Sequence, residues 1–381
     1  MMEFIESGVP NLDFVLGDGL VAGSLTMLIG PPGSGKTIAS QQLAFHAARQ
    51  GSKVLVLTTL PEPHVKLLGN LRTLAYFDEG LIGERIELIN IHRQLRDDFA
   101  GAGAYILRLV RDQRANLLIV DSFDSVRDLA GSEIAVKELS YELSAGLGLL
   151  GVTVIVLSAL NPRQTTHYAE LTIADHIIML HNETVGVRGV RALEVTKMRG
   201  AAQRGGRHSY AIDGDGMRVY PRQEAVPPPS EVVLGGGRTP FGLAELDAMM
   251  GGGPTRGGTT VLAGNPGTGK TFLGLQFLLD GQWRGERGLY VTFHETEQQL
   301  VAKAAGVGID LPPLLGGGLE VVHRVAAEFD PDELAAVIRE RVAGGVKRVV
   351  IDCLDDLLGG LLDRGRQLGF ISSLTAHLRN A

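Results

Sequence analysis

The sequence has one cysteine, Cys353, in 381 residues. A single thiol cannot close an intramolecular disulfide, so a disulfide-stapled scaffold is excluded and a reducing compartment suits the chain. Basic residues are also short: 36 Lys and Arg stand against 43 Asp and Glu, a net charge of −7. That balance argues against a broad cationic surface for nucleic acid. The first residues, Met1-Met2-Glu3-Phe4-Ile5-Glu6, lack the basic-then-apolar order of a secretory signal. One uncharged run, residues 143–162, needs weighing as a membrane span. It holds Gly146, Gly148 and Gly151 ahead of the β-branched run Val152-Thr153-Val154-Ile155-Val156. It reads as a helix end, a glycine turn and a buried strand, with no membrane crossing. A cytoplasmic location is the expectation.

What is present is a composition able to bury real cores: 44% hydrophobic residues and 21% charged ones. The length suggests two or three domains at about 150 residues each. Comparing the chain with itself is more informative. Gly8-Val9-Pro10-Asn11-Leu12-Asp13 recurs as Gly242-Leu243-Ala244-Glu245-Leu246-Asp247, and Gly23-Ser24 as Gly257-Gly258. Gly30-Pro31-Pro32-Gly33-Ser34-Gly35-Lys36-Thr37 recurs as Gly264-Asn265-Pro266-Gly267-Thr268-Gly269-Lys270-Thr271. The offsets 242−8, 257−23 and 270−36 are all 234. The chain is therefore a tandem duplication: residues 1–222, a Pro- and Gly-rich link at 223–237, and residues 238–381.

In copy one, short β-rich runs at 25–29, 54–57, 117–120, 152–157 and 177–180 alternate with helical patterns such as 37–49. In copy two the runs are 259–263, 289–293 and 348–351. The alternation predicts an α/β fold with parallel sheets and helical crossovers.

The repeated octapeptide follows a strand and precedes a helix, the context of a phosphate-binding P-loop. Its glycines, Gly30, Gly33 and Gly35 or Gly264, Gly267 and Gly269, let the amides turn inward around phosphate oxygens, with Ser34 and Thr268 inside the loop. Lys36 and Lys270 would neutralise β- and γ-phosphate charge, and the Thr37 and Thr271 hydroxyls would ligate Mg²⁺. The expected ligands are thus ATP and Mg²⁺. An acid ending a later apolar strand completes such a site. Asp121 after Leu117-Leu118-Ile119-Val120 and Asp352 after Val349-Val350-Ile351 both fit, at the offset 352−121 = 231.

With these motifs the sequence resembles the KaiC-like branch of the RecA-type ATPases. The opening Gly-x-x-x-Leu-Asp, Gly23-Ser24, the P-loop and the duplication carry the resemblance. So do Arg191-Ala192-Leu193-Glu194-Val195-Thr196-Lys197-Met198-Arg199-Gly200, Tyr210-Ala211-Ile212-Asp213 and Val219-Tyr220-Pro221. The resemblance implies a RecA-like core, ATP hydrolysis and self-assembly into a ring, usually a hexamer. It implies that Lys197 and Arg199 reach the γ-phosphate of a neighbouring subunit. It also implies a pair of glutamates after the second strand. Here the pair reads Pro61-Glu62 and His294-Glu295, so Glu62 and Glu295 are the candidate bases and the first acid is replaced in both copies. Hydrolysis is expected to be slow, and Glu62, between two prolines, is open to a plain turn role.

Two rival readings follow from the same residues. A DNA-acting recombinase or helicase would need basic loops, yet residues 159–168 hold one Arg and no Lys. A nucleotide-binding scaffold with little turnover is favoured by the missing acids. Protein kinase activity has no support in the sequence, and the protein partner is not legible. By the offset of 231, Ala381 corresponds to Leu150. Copy two would then lack the counterparts of the strands at 152–157, at 177–180 and around Lys197. In a RecA-like fold the first of these is central, so copy two is expected to be incomplete at its C-terminal end and less stable than copy one.

Overall fold

The computed structural model describes residues 3–59, 64–160, 168–229 and 236–379. The chain divides into two compact units, Met1–Pro221 and Arg222–Ala381.

In the first unit β1 (Phe4–Ile5) and β2 (Leu20–Val21) form a small antiparallel pair. The main sheet comprises β3 (Leu25–Ile29), β4 (Val54–Thr58), β5 (Ile86–Asn90), β6 (Leu117–Asp121), β7 (Thr153–Ser158), β8 (His176–Val185), β9 (Arg188–Met198), β10 (Arg207–Asp213) and β11 (Gly216–Tyr220). Its order is β11-β10-β9-β8-β3-β7-β6-β4-β5. From β8 to β5 the neighbours run parallel, and β9, β10 and β11 add an antiparallel meander. Helices cover both faces, so alternate residues of one strand serve different cores. Leu28, Val56, Ile119 and Ile155 join the core that holds Leu43 and Phe45. Met27, Leu55, Leu118 and Val154 join the core that holds Ile106 and Leu139.

The P-loop strand β3 lies inside this sheet, between β7 and β8. The described part of the uncharged run, residues 143–160, holds the end of the helix Glu133–Leu150, a left-handed Gly151 with φ 66°, and the fully buried strand β7. No helix among the described residues is long and apolar enough to cross a membrane. The run at 177–180 extends further than its apolar core, because β8 pairs with β9 all the way to Val185↔Arg188.

The second unit has a three-stranded parallel sheet of β12 (Arg287–Thr292), β13 (Leu319–His323) and β14 (Val346–Asp352), in the order β13-β12-β14. Residues 259–263, expected as its P-loop strand, form no strand and are exposed. The reason is a matter of partners. In unit one the equivalent backbone bonds on both edges, to β7 and to β8, and the described residues of unit two contain no counterpart of either strand. Without a ladder, an apolar β-rich run has no means to satisfy its amides except water. Apolar side chains still build two cores, one around Leu289, Phe329, Ile338 and Phe370, the other around Leu275, Tyr290 and Leu300.

The duplicated opening motif has a structural role in both units. The Asp13 carboxylate accepts the Ser7 amide at 3.0 Å, and Asp247 accepts the amides of Phe241, Gly242 and Leu243 at 2.8, 3.0 and 3.2 Å. In the stretch read as a link, Gln223–Ala225 form a 3-10 turn held on unit two. The Gln223 amide donates to Asp332 at 2.9 Å, and the Ser373 hydroxyl donates to the Gln223 carbonyl at 2.8 Å. Arg366 binds Glu224 and Asp332 at 2.6 and 2.9 Å. Prolines in that stretch rule out helix and strand but leave side chains free to dock.

Candidate functional site

In unit one the chain leaves β3 at Ile29, turns through residues 30–35 and enters the helix Lys36–Arg49. Gly33 and Gly35 have φ of 76° and 91°, a region that side chains disfavour. A Cβ on Gly35 would also lie 2.3 Å from Ile212 Cδ1, and one on Gly30 2.3 Å from the Leu180 carbonyl oxygen. The loop is therefore glycine-rich for two reasons, backbone angle and the close approach of β8 and β10. Lys36 Nζ donates to the Gly30 and Pro31 carbonyls at 2.7 and 3.0 Å. The Tyr210 hydroxyl donates to the Ser34 carbonyl at 2.6 Å, pinning the loop to β10. The Ser34 hydroxyl is buried without a hydrogen-bond partner, a polar group left for something the loop encloses.

Thr37 follows the lysine and donates from Oγ1 to Asp121 Oδ2 at 3.3 Å. Burial lowers the Lys36 ammonium below its usual range, against the pull of Asp124 and Asp121. Burial likewise raises the Asp121 carboxyl, against the Thr37 hydrogen bond and the Lys36 charge. An anion with a cation beside it would favour the charged form of both.

Unit two repeats this arrangement. Lys270 Nζ donates to the Gly264 and Asn265 carbonyls at 2.8 and 3.0 Å. Gly267 and Gly269 have φ of 82° and 89°. Thr268 donates to the Asn265 carbonyl at 2.8 Å. Thr271 Oγ1 donates to Asp352 Oδ2 at 2.7 Å, and the Tyr290 hydroxyl donates to the same oxygen at 2.6 Å.

Among the described residues no three His, Cys, Asp or Glu side chains gather as a metal cage. One hydroxyl and one carboxylate beside a phosphate nest is instead the donor set of magnesium, which keeps waters and takes substrate phosphate oxygens. The residues fit that ion in both units.

The remaining sequence candidates are spread more widely. Glu62 and Pro61 lie outside the described residues, as do residues 161–167 of the loop weighed for DNA. Glu295 forms an ion pair with Lys303, and its backbone amide donates to Thr292 Oγ1 at 3.3 Å. His294 faces Asp356 at 2.8 Å. Lys197 Nζ donates to the Leu171 and Thr172 carbonyls at 3.3 and 3.0 Å, and Arg199 faces Asp175 at 3.4 Å. Lys197 pairs with Ile177, which pairs with Met27 in the middle of β3, and Arg199 follows two residues further from the level of Gly30.

Three contacts near the site went unseen in the sequence. Tyr210, although part of the motif at 210–213, and Tyr290 reach it from distant strands, and no local pattern marks the contact that either makes. Asp124 accepts from Ser158 Oγ at 2.8 Å and from the Ala159 amide at 2.6 Å, tying the end of β7 to the helix Phe123–Ala130. Its acid was visible, but not its partner.

A family model described as "ATPase: KaiC" matches residues 5–224 and again residues 239–376. The chain is similar to the "Circadian clock protein KaiC3" of Synechocystis sp., 27% identical over 343 residues, covering 85% of this chain and 66% of that protein. It is similar also to the "Circadian clock oscillator protein KaiC" of Picosynechococcus sp., 25% identical over 374 residues, covering 90% of this chain and 71% of the relative. The protein of that name in Nostoc sp. is 26% identical over 375 residues, covering 94% and 71%. The chain thus spans about two thirds of the length of these relatives.

Proposed function

The chain belongs to the KaiC family of ATPases and shares its RecA-like fold, and from that premise we propose that each P-loop binds ATP with Mg²⁺ and that the chain hydrolyses it slowly. The observation that carries this reading is a coincidence of three groups, found twice. Lys36 precedes Thr37, which meets Asp121, and Lys270 precedes Thr271, which meets Asp352. Lys36 and Lys270 exchange their loop carbonyls for β- and γ-phosphate oxygens, while the amides at the start of each following helix face the phosphates. Thr37 and Thr271 would hold Mg²⁺ through their hydroxyls, with Asp121 and Asp352 beside them, and the ion would supply neutralisation of the charge that develops on the γ-phosphoryl group.

Glu62 and Glu295 are the residues proposed to orient the attacking water. Turnover is proposed to be slow, because Pro61 has no acid to offer and Glu295 is engaged by Lys303. Lys197 and Arg199 are proposed to act on the nucleotide of a neighbouring subunit in a homo-oligomeric ring, a hexamer. Their place, about 10 Å of strand away from their own P-loop, supports action in trans. Nucleotide state then governs assembly or the binding of a protein partner. The test is ATP binding by the full chain carrying Lys36→Ala and Lys270→Ala. Each ammonium lost from two phosphates should cost about 3 kcal/mol, over 100-fold in affinity. Unchanged affinity in the double variant overturns the reading.

A further inference from the structure

Copy two holds its metal-site acid by a means that copy one lacks. The register Thr58↔Asp121 and Thr292↔Asp352 aligns β4 with β12, and places Tyr290 where copy one has Val56. Tyr290 is fully buried, and its hydroxyl donates to Asp352 Oδ2 at 2.6 Å. The Thr271 hydroxyl donates to that same oxygen at 2.7 Å, whereas Thr37 stands 3.3 Å from Asp121.

We propose that Tyr290 is a positioning residue of copy two: its phenol fixes the Asp352 carboxylate against Thr271 and so presets the Mg²⁺ site of the second P-loop. The inference rests on the reading of that loop as a nucleotide site. Its physical basis is the difference in bracing. In copy one β3 is hydrogen-bonded on both edges, and the loop is pinned by Tyr210. In copy two residues 259–268 are exposed and outside any strand, so the loop is not braced from its own strand. The acid and the hydroxyl must meet by another route. A rigid aromatic ring anchored among Leu275, Leu278 and Leu300 gives one. Outer groups of this kind set a metal ligand's direction, and their loss costs roughly 10- to 100-fold in metal affinity.

The experiment uses the full chain with Lys36→Ala, so that copy two alone reports. Binding of a fluorescent ATP analogue is measured in excess EDTA and across a Mg²⁺ titration, with and without Tyr290→Phe. The ring is kept, so the core is kept. The expected result is an unchanged affinity in EDTA and a Mg²⁺ half-saturation about tenfold higher. An unchanged Mg²⁺ curve overturns the inference. So does an equal loss with and without Mg²⁺, which would mark a general structural role. Absence of analogue binding with Tyr290 intact overturns the nucleotide reading of copy two and this inference with it, and is told apart because it needs no substitution at Tyr290. As a second measurement, thermal unfolding with saturating nucleotide should gain less from Mg²⁺ in Tyr290→Phe than in its parent.

Discussion

Lys36 and Lys270 make the same pair of hydrogen bonds to their loop carbonyls, yet the strands that lead to them differ completely. The strand before Lys36 is buried and paired on both edges, and the segment before Lys270, residues 259–263, is exposed and forms no strand. The loop conformation is thus local. It follows from glycines at positive φ and from the lysine's reach back over its own loop, and it forms with or without a sheet beneath it. The sheet adds something else, a fixed height and direction for the loop relative to the acid on β6. Copy two reaches a similar threonine–aspartate contact through a tyrosine.

The largest expected contrast lies in backbone protection. Amides of β3 should exchange with solvent only on global opening, whereas those of residues 259–263 should exchange freely, a difference on the order of 10,000-fold. Hydrogen exchange read by mass spectrometry checks this. Equal protection in the two segments would break the comparison by showing that copy two has found partners.

Next in size is a buried cation that, among the described residues, only copy two has. Arg348 begins the apolar part of β14 and is 2% exposed. It binds Asp280 at 3.0 Å, Glu286 at 2.7 Å and the carbonyls of Pro240 and Phe277, and it stacks on the Phe277 ring at 4.6 Å. The matching position in β6, by the register of Asp352 with Asp121, is Leu117. Arg348→Met removes the buried cation from this cluster, leaving Asp280 to Arg284 alone and Glu286 to Arg256 alone, and should destabilise unit two by about 3–5 kcal/mol. Chemical denaturation followed at Trp283 reads this unit directly, since the tryptophan lies in its helix Lys270–Trp283. A loss under 1 kcal/mol would mean that the ion cluster is not what closes copy two.

The smallest contrast is in acid response. Burial raises the Asp13 carboxyl of unit one, outweighing the Ser7 hydrogen bonds. Burial also acts on Asp280 of unit two, but the Arg284 and Arg348 hydrogen bonds outweigh it and hold that carboxyl below its usual range. A depressed carboxyl lends stability above the unfolded value of about 3.9, and that stability is lost as pH falls through the folded pKa. A raised one opposes folding at neutral pH, and its penalty fades as pH falls through the folded pKa. Asp280→Asn should therefore flatten the acid loss of unit two below about pH 4, whatever it costs at neutral pH. Asp13→Asn should steepen the acid loss of unit one. Denaturation midpoints between pH 6 and 3 measure both slopes, and slopes unaltered by either change would remove the electrostatic difference between the copies.

Much of this was legible in the residues. The 234-residue repeat, the two glycine loops and the acids Asp121 and Asp352 stood in plain view, because phosphate nests and acid-tipped strands are written in contiguous residues. The failure at 259–263 is instructive. The run Thr259-Thr260-Val261-Leu262-Ala263 has strand composition, but a strand is made by its neighbours, and composition says nothing of whether they are present. Gln223 and Glu224 were hidden for a similar reason, since their anchors, Asp332, Arg366 and Ser373, lie more than 100 positions away.

By itself the sequence determined which chemistry each copy can hold: glycine turns, a lysine, a threonine and an acid, since these act through local backbone geometry and fixed charge. The tertiary structure alone decided how firmly that chemistry is held. Tyr210 on Ser34, Tyr290 on Asp352 and Arg348 on Asp280 each join residues 62 to 176 positions apart. Such contacts exist only once the chain has collapsed and excluded water, where a single unpaired polar group is costly enough to select the one arrangement that pairs it.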